Sequence, residues 1–485
     1  MEKKDLKPVS VFHYFEEVCQ VPRPSKKEEK IRAYLMAFAR ERGLDCVCDE
    51  AGNVLIRKAA TPGMENRKTV VLQSHMDMVC EKNKDTQHDF DTDPIETYID
   101  GEWLKAKGTT LGADNGIGVA TELAVLAADD IAHGPLECLF TVDEETGLTG
   151  AFALQEGFVG GDILINLDSE DEGELFIGCA GGARTSAEFP FPTEKAPEGS
   201  FFFRLTVKGL TGGHSGDDIN KGRANANKLL NRFLVQLMGR YDLRLADIDG
   251  GNLHNAIPRE AYAVAAVPMK DKESVRVDLN VFLAELENEF AKTEPSLAID
   301  LESETPCAQV MEQEAMRRFL LAIYAVHNGV YAMSQDIEGL VETSSNLASI
   351  KRKGDKLLVV TSQRSSILSQ RKDMSQMVRA AFELGGAVCE TGDGYPGWKP
   401  NPDSPVLRVA IESYQRLFGT APKVKAIHAG LECGLFLEKY PSLDMVSFGP
   451  TLRGVHSPDE RMLIPTVEKF WKHLLDVLAH IPAVE

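Results

Sequence analysis

The chain has 485 residues, more than one ordinary hydrophobic core can organise, so two or three domains are expected. Its fractions of hydrophobic residues, 43%, and charged residues, 26%, are typical of a soluble globular protein. The 53 lysines and arginines are outnumbered by 74 aspartates and glutamates, and the resulting net charge of −21 repels nucleic acids and anionic membrane surfaces. We therefore expect neither nucleic acid nor a membrane as a partner.

The start of the chain carries charges and lacks the apolar segment of a signal peptide, and no later apolar run is long enough to span a membrane. The nine cysteines are scattered without CxxC pairs, which indicates reduced thiols. These features predict a cytoplasmic protein.

The first predicted elements are helices. Residues 9–21 form the first one, and Ser25 with Glu28 makes a capping box that predicts a second helix running to Arg40. Two short predicted strands then lead to an apolar, β-rich segment, VVLQSHMDMVC, at residues 70–80. We regard this segment as the strand around which the rest of the fold is organised.

Within this segment the apolar strand ends in His75 and Asp77. Because these two residues are two positions apart in an extended chain, their side chains project from the same side. The pattern fits a buried strand with a polar end, and it also fits the beginning of a ligand site. Further ligands elsewhere in the sequence are needed to choose between these alternatives.

Acidic residues follow later elements in the same way. The Gly-rich loop at 111–118, LGADNGIG, precedes a predicted helix at 119–128 and carries Asp114 but no lysine, which suits a cation better than a phosphate. Predicted strands at 136–142 and 163–167 are each followed by acids, and ligands gather at such strand ends in α/β sheets. The acids concerned are Asp143, Glu144, Glu145 and Asp168.

The pattern changes near residue 182, where a second series of strands and helices begins. A segment rich in glycine and proline, at 390–405, reads as the return linker, and an α/β pattern resumes after it. The sequence therefore predicts an α/β main domain built from residues 1–182 and 396–485, with a central mixed sheet flanked by helices. Residues 183–395 are predicted to form an inserted α+β domain.

Five side chains at these positions could ligate metal. Their oxygen and nitrogen donors, without thiolate, suit zinc, cobalt or manganese. Five groups exceed the needs of one catalytic zinc ion, and they fit two ions that share a carboxylate and hold a water between them. The predicted ligands are His75, Asp114, Glu145, Asp168 and His456.

Two acids beside the predicted ligands have other candidate roles. Glu144 points away from its neighbour Glu145, so it can reach the attacking water as a general base. Asp77 can accept the second N–H of the His75 imidazole and fix its tautomer.

The strings SHMDMV, GADNGIG, DEETG, NLD and GVHSPDE resemble, in order and spacing, those of the di-zinc aminoacylase and carboxypeptidase superfamily of metallopeptidases. The strings GGHSG, NAIPR and HAGLECG extend this resemblance over nearly the whole chain. The resemblance implies a zinc-peptidase-like catalytic domain with an inserted lid domain. It also implies two divalent metal ions, Zn²⁺ first, with Co²⁺ and Mn²⁺ as alternatives.

The same resemblance implies how the ligands are shared. His75 and Asp168 would hold one metal ion, Glu145 and His456 the other, and Asp114 would bridge them from a backbone that the family kinks with a cis peptide.

Further residues receive roles by resemblance. Asp77 and Glu144 would form the catalytic pair, and His214 of the lid would stabilise the oxyanion. Taken alone, His214 and Asn255 also fit turn residues, and Arg364 fits a surface strand residue. The residues implied to contact the substrate are Asn255, Arg364 and Glu432.

The resemblance implies a metal-dependent dipeptidase that cleaves unblocked dipeptides, including those with C-terminal histidine, in a monomer or homodimer. An N-acyl amino acid deacylase or a carboxypeptidase of the same fold is an alternative. A non-catalytic binding protein that kept the fold is another. A nucleotide-binding protein that uses GADNGIG is weaker, because the loop lacks a lysine or hydroxyl residue at the phosphate position.

Overall fold

The computed structural model describes residues 3–484. The chain divides into two compact units. Unit 1 contains the described residues of Met1–Gly178, Trp398–Ala426 and Leu431–Glu485, and unit 2 contains Cys179–Gly397 and Ile427–Gly430.

The first section of the chain alternates strands and helices after a short 3₁₀ turn at Lys3–Asp5. Its elements are α1 (Val9–Cys19), α2 (Glu29–Glu41), β1 (Asp45–Cys48), β2 (Val54–Lys58), β3 (Val70–His75), β4 (Thr97–Asp100), β5 (Trp103–Ala106), α3 (Ala113–Ala127), β6 (Leu136–Thr141), α4 (Glu144–Gly147), α5 (Thr149–Ala153), β7 (Ile163–Asn166) and β8 (Glu174–Cys179).

The middle section, which forms unit 2, is richer in strands and includes a 3₁₀ turn at Met269–Asp271. Its elements are β9 (Gly181–Pro190), β10 (Thr193–Lys195), β11 (Ser200–Lys208), β12 (Gly213–His214), α6 (Ala226–Arg240), β13 (Arg244–Gly250), β14 (Ala256–Ile257), β15 (Ala261–Pro268), α7 (Lys272–Glu289), β16 (Ala298–Ser303), β17 (Gln309–Met311), α8 (Gln313–Ala325), β18 (Gly329–Met333), β19 (Val341–Lys353), β20 (Lys356–Ser365), α9 (Leu368–Leu384) and β21 (Val388–Thr391).

The last section returns to an α/β pattern. Its elements are α10 (Pro405–Phe418), β22 (Lys423–Ile427), α11 (Cys433–Lys439), β23 (Asp444–Ser447), β24 (Leu452–Arg453), β25 (Arg461–Leu463) and α12 (Ile464–Ala479).

Unit 1 is built on an eight-stranded mixed sheet with the order β1-β2-β6-β3-β7-β23-β8-β22. Strand β3 runs parallel to both β6 and β7, with Val70 opposite Leu136 on one side and Ile163 on the other. All residues of β3, β6 and β7 are buried, as expected for parallel strands covered on both faces. The carboxyl ends of these three strands therefore meet at one edge of the sheet. A smaller four-stranded sheet has the order β24-β25-β5-β4.

Unit 2 is built on a long antiparallel sheet with the order β16-β11-β15-β13-β19-β20-β9-β21, in which β18 also pairs with β19. Five buried phenylalanines pack against one another in its core. Phe233 stacks on Phe282, and Phe319 and Phe382 each meet Phe189 edge to face. Two short ladders, β10 with β17 and β12 with β14, complete the unit.

Two predicted details at helix starts are wrong. The Ser25 and Glu28 capping box does not form: α2 begins at Glu29 without a side-chain cap, and Ser25 Oγ donates to Asp77 Oδ2 at 2.7 Å. The buried carboxylate of Asp77 needs a hydrogen-bond donor, and because the Ser25 hydroxyl serves it, this hydroxyl does not cap α2. Helix α3 begins at Ala113, not at 119, because the loop residues themselves start the helix.

None of the helices within residues 3–484 combines the length and apolar character needed to cross a membrane. None of the nine cysteines, all of which lie in this range, forms a disulfide.

The imidazole of His473 is buried between α10 and α12 of unit 1. Its Nε2 lies 2.8 Å from the carbonyl oxygen of Ala410, and its ring packs against those of Tyr414 and Phe448. Burial lowers the pKa of His473 from 6.5 to about 4. The neutral ring therefore donates its N–H to Ala410, and folding opposes protonation of the imidazole.

This burial makes the stability of unit 1 depend on pH. Between the two pKa values the unfolded chain binds a proton that the folded chain does not, so stability is lost as the pH falls. We expect wild type to lose about 2 kcal/mol more than His473→Phe between about pH 7.5 and about pH 5. Urea unfolding followed by tryptophan fluorescence measures this in unit 1, which contains Trp103, Trp398 and Trp471. Equal pH dependence of the two proteins would contradict the assignment.

Candidate active site

The carboxyl ends of β3, β6 and β7 bring the predicted ligands of unit 1 together. His75 is the last residue of β3, and Asp168 lies two residues after β7. Glu144 and Glu145 open α4, two residues after β6 ends. Because the strands are parallel, these side chains share one edge of the sheet.

Asp114 lies between the two predicted histidine ligands. Its Oδ1 is 3.1 Å from Nε2 of His75, and its Oδ2 is 3.0 Å from Nε2 of His456. Nε2 of His75 is also 3.5 Å from Asp168 Oδ1, and Nε2 of His456 is 3.0 Å from Glu145 Oε2. The five side chains thus form two sets of three that share one carboxylate.

The start of α3 gives Asp114 its position. Asp114 and Asn115 have non-helical backbone angles, and the peptide bond between them is cis, as the family resemblance implies. Nδ2 of Asn115 donates to the carbonyl oxygen of Leu167 at 2.9 Å and to Oδ1 of Asp168. The same residue that turns the backbone thereby holds a neighbouring ligand.

Asp77 is fully buried behind His75. Its Oδ1 faces Nδ1 of His75 at 3.3 Å, on the side of the ring away from Asp114. It also accepts hydrogen bonds from the backbone N–H groups of Glu144, at 3.1 Å, and Glu145, at 3.3 Å. Asp77 therefore holds the turn that carries the two glutamates, and its carboxylate lies beside the imidazole of His75.

The charges in this cluster depend on one another. Burial raises the pKa of Asp114, but hydrogen bonds from His456 and His75 outweigh burial and hold that pKa well below its usual range. Hydrogen bonds to Asp114 and Glu145 raise the pKa of His456 to about 11. Burial lowers the pKa of His75, but Asp168 and Asp114 outweigh it and raise it well above 6.5. The carboxylates thus create a strongly negative potential at both Nε2 atoms.

Three acids of the cluster are held closer to their neutral form. Burial raises the pKa of Glu144 well above its usual value, and it raises the pKa values of Glu145 and Asp168 as well. Buried Oε1 of Glu145 has no hydrogen-bond partner among the described residues. Ligand atoms of His75, Asp114 and Glu145 lie within 4.8 Å of one another. These carboxylate oxygens and imidazole nitrogens lie close together with little positive charge near them, so they fit divalent metal ions as ligands.

The side chain of Glu432 is buried inside unit 1. It is 1% exposed, and its Oε2 accepts hydrogen bonds from Gln73 Nε2 at 2.7 Å and Thr141 Oγ1 at 2.9 Å. Burial raises its pKa to about 7. A direct contact between Glu432 and substrate stays a prediction.

The predicted residues of unit 2 also lie near one another. The ladder of β12 with β14 places His214 opposite Ala256, and Ser215 N–H donates to the carbonyl oxygen of Asn255 at 2.8 Å. Nη2 of Arg364 is 3.3 Å from Nε2 of His214. The tight GGHSG loop and β20 therefore bring His214, Asn255 and Arg364 to one region of this unit.

Arg364 lines a cavity of about 440 Å³ inside unit 2. Nη1 of Arg364 donates to the hydroxyl of Tyr395 at 3.0 Å, while its buried Nε has no hydrogen-bond partner among residues 3–484. Arg184 and His254 line the same cavity. The pKa of His254 is lowered mainly by burial and, to a smaller extent, by the positive charges of Arg184 and Arg364. Two arginines and one acid, Glu390, line the cavity, so positive side chains outnumber negative ones in its wall.

Two buried charged residues of unit 1 were missed by the sequence analysis. Arg23 donates to the carbonyl oxygens of Met76, at 3.3 Å, Asp77, at 2.8 Å, and Gly112. Glu460 accepts hydrogen bonds from backbone N–H groups at the start of α3. Glu460 lies inside the GVHSPDE string, so the sequence could have indicated a role for it. Arg23 lies between two prolines, and no motif there indicates its role.

Comparisons with known proteins show the family of the chain. Residues 71–480 match the model of Peptidase family M20/M25/M40. The chain is 47% identical over 482 residues to the cytosol non-specific dipeptidase of Escherichia coli (strain K12), which covers 99% of both chains.

Solved structures give the same result. The aminoacylhistidine dipeptidase from Vibrio alginolyticus superposes with a TM-score of 0.92 at 48% identity, covering 100% of this chain and 99% of the other. A tripeptidase from Staphylococcus aureus, with a TM-score of 0.57 at 16% identity over 98% of this chain and 99% of the other, shares the fold. The predicted α/β fold class is confirmed. This chain belongs to peptidase family M20/M25/M40 and is a peptidase.

Proposed function

We propose that this peptidase is a metal-dependent dipeptidase that hydrolyses unblocked dipeptides, including those with C-terminal histidine. The observation that carries the proposal is the carboxylate of Asp114, which faces a different imidazole with each oxygen. The names of the two relatives that are 47% and 48% identical to the chain support the substrate class, and the first name supports a cytosolic location.

Two sets of ligands would hold two divalent ions. His75 and Asp168 would hold one, His456 and Glu145 the other, and Asp114 would serve both. When bound, such ions act as Lewis acids on a carbonyl oxygen and lower the pKa of water. Nitrogen and oxygen donors favour Zn²⁺, with Co²⁺ and Mn²⁺ as alternatives.

The protonation of the histidines supports this proposal. Ligation needs a neutral imidazole with a free Nε2 lone pair, and the negative potential at His75 and His456 attracts a metal ion as it attracts a proton. Asp77 faces Nδ1 of His75 and would keep the hydrogen on that atom, which leaves Nε2 free to ligate.

Glu144 is the proposed general base. Its burial next to other carboxylates raises its pKa, which gives it the proton affinity that a base working near neutral pH needs. Glu144 would accept the proton of the attacking water and then deliver it to the leaving amine nitrogen. Asp77 would assist by holding the N–H groups of Glu144 and Glu145.

Unit 2 is proposed to act as a lid that binds the substrate. His214 would donate a hydrogen bond to the oxyanion, and Asn255 with Arg364 would bind the substrate carboxylate. What supports this is the arrangement inside unit 2, where Arg364 and Arg184 line one cavity and Nε of Arg364 has no hydrogen-bond partner among the described residues. A residue in unit 1, Glu432, is proposed to contact the substrate as well.

Metal content tests the shared carboxylate. We expect wild type, dialysed against Zn²⁺ and then metal-free buffer, to retain two ions per chain by elemental analysis. Asp168→Asn and Glu145→Gln should each retain one ion, whereas Asp114→Asn should retain less than one, because Asp114 serves both sets.

Asp49→Asn is the matched control, because this aspartate binds turn N–H groups at Gly52 and Asn53, and it should retain two ions. Two ions in Asp114→Asn, or one ion in wild type, would contradict the shared ligand.

Substrate choice tests the dipeptidase proposal. We expect Zn²⁺-loaded wild type to hydrolyse a free dipeptide, such as one with C-terminal histidine, and to leave its N-acetylated form intact. Glu144→Gln keeps the size of the side chain but removes the base, so kcat should fall by at least about 100-fold, the typical value of proton transfer in catalysis. Release of free amino acids, measured by chromatography, gives the rates.

Glu156→Gln, a change at an exposed acid of the same region, is the control and should keep the wild-type rate. Cleavage of only the acetylated substrate would move the assignment to a deacylase. A Glu144→Gln enzyme with wild-type kcat would remove Glu144 as the base.

A further inference from the structure

Glu460 binds four consecutive backbone N–H groups of unit 1. Its Oε2 accepts from Leu111, at 2.7 Å, and Gly112, at 2.9 Å, and its Oε1 accepts from Ala113, at 2.8 Å, and Asp114, at 3.3 Å. These groups lie at the start of α3, where N–H groups have no partner within the helix. Glu460 is 3% exposed, so its carboxylate is shielded from bulk solvent.

This contact joins two of the ligand-bearing segments. Glu460 lies four residues after His456 and 346 residues from Asp114, and it binds the N–H of Asp114 itself. His456 has a left-handed backbone conformation with φ of 62°, and the N–H of Glu460 returns to the carbonyl of Ser457 at 3.0 Å. The turn that presents His456 is therefore tied to the backbone of Asp114.

Arg23 ties a third segment to the same loop. Its Nη1 donates to the carbonyl oxygens of Met76 and Asp77, and its Nη2 donates to that of Gly112. Arg23 is 2% exposed, and its planar guanidinium binds both the end of β3 and the loop before α3. Gly112, with φ of 68°, admits this contact, because a Cβ there would lie 2.7 Å from Nη2.

We infer that Glu460 and Arg23 are positioning residues that fix the spacing between His75, Asp114 and His456. Both side chains bind backbone groups of the segments that carry the ligands. The inference depends on the proposed function, because it assigns these residues to the geometry of the same two-metal site.

The chemistry of Glu460 makes a sharp variant available. Glu460→Gln keeps size and shape but replaces one acceptor oxygen with an NH₂ group, which would face two backbone N–H donors at once. Two of the four hydrogen bonds would be lost, and the loop around Asp114 would move away from the NH₂ group. A change of this kind alters ligand spacing while leaving all five ligands present.

The first measurement is Co²⁺ binding, and catalytic activity is measured afterwards. Co²⁺ titrations against a competing chelator give affinities, and the visible absorption spectrum of the Co²⁺-loaded protein reports coordination geometry. We expect Glu460→Gln to bind Co²⁺ about 10- to 100-fold more weakly with an altered spectrum, the range typical of residues that orient ligands. With Zn²⁺ and a free dipeptide, kcat should fall by a similar factor while KM stays within about twofold.

Glu137→Gln is the matched control. Glu137 is also a buried acid of unit 1 that accepts two backbone N–H groups, from Gly160 at 2.8 Å and Gly161 at 3.1 Å, near the start of β6. Because it lies at the end of β6 away from Glu144, its variant should keep the wild-type Co²⁺ affinity, spectrum and kcat.

The outcomes separate this inference from the proposed function. Wild type that binds Co²⁺ but cleaves no dipeptide would end the dipeptidase proposal, and the Co²⁺ data would still decide on Glu460. Folded Glu460→Gln with wild-type affinity and spectrum would overturn the inference.

Arg23→Lys is a second test variant, because it keeps the positive charge but lacks the planar guanidinium that contacts several carbonyl oxygens at once. If Glu460→Gln fails to fold, judged by tryptophan fluorescence, a weakened and spectrally altered Arg23→Lys supports the inference, and an unaltered one overturns it. If neither variant folds, the two residues serve general stability and the inference is overturned.

Discussion

The carboxylate of Asp114 lies between the imidazoles of His75 and His456, and contacts of Glu460 and Asn115 hold its segment of backbone. A carboxylate has two oxygens with separate lone pairs, so it can serve two partners at once, which an amide or imidazole cannot do with equal charge. Asp168 and Glu145 add one acid to each imidazole. The site is therefore two similar halves joined at one residue.

Burial of so many acids requires compensation, and the structure supplies it in layers. The imidazoles provide positive charge next to Asp114, and backbone N–H groups serve the acids behind them, as at Asp77 and Glu460. What remains is an excess of negative charge around Glu144, whose pKa is raised by burial and by neighbouring carboxylates. Divalent ions, bound as proposed, would offset that excess negative charge.

The sequence predicted the buried strands β3 and β6 of unit 1, because each is rich in apolar residues and is followed by polar ones. It did not predict β19, whose residues 343–346 are polar yet buried and pair with side chains such as Asn225 and Ser365. Nor did it predict the roles of Ser25 and Glu460, since their partners lie 52 and about 350 residues away and leave no periodic signal. Periodicity reports which side faces a core, whereas long-range hydrogen bonds depend on the completed fold.

The most direct test of the proposed two-metal site with a shared carboxylate is anomalous X-ray diffraction at the zinc edge from crystals of the Zn²⁺-loaded protein. We expect two peaks about 3.5 to 4 Å apart, one beside His75 and Asp168 and one beside His456 and Glu145, with Asp114 contacting both. A single peak, or two peaks of which only one contacts Asp114, would contradict the shared site.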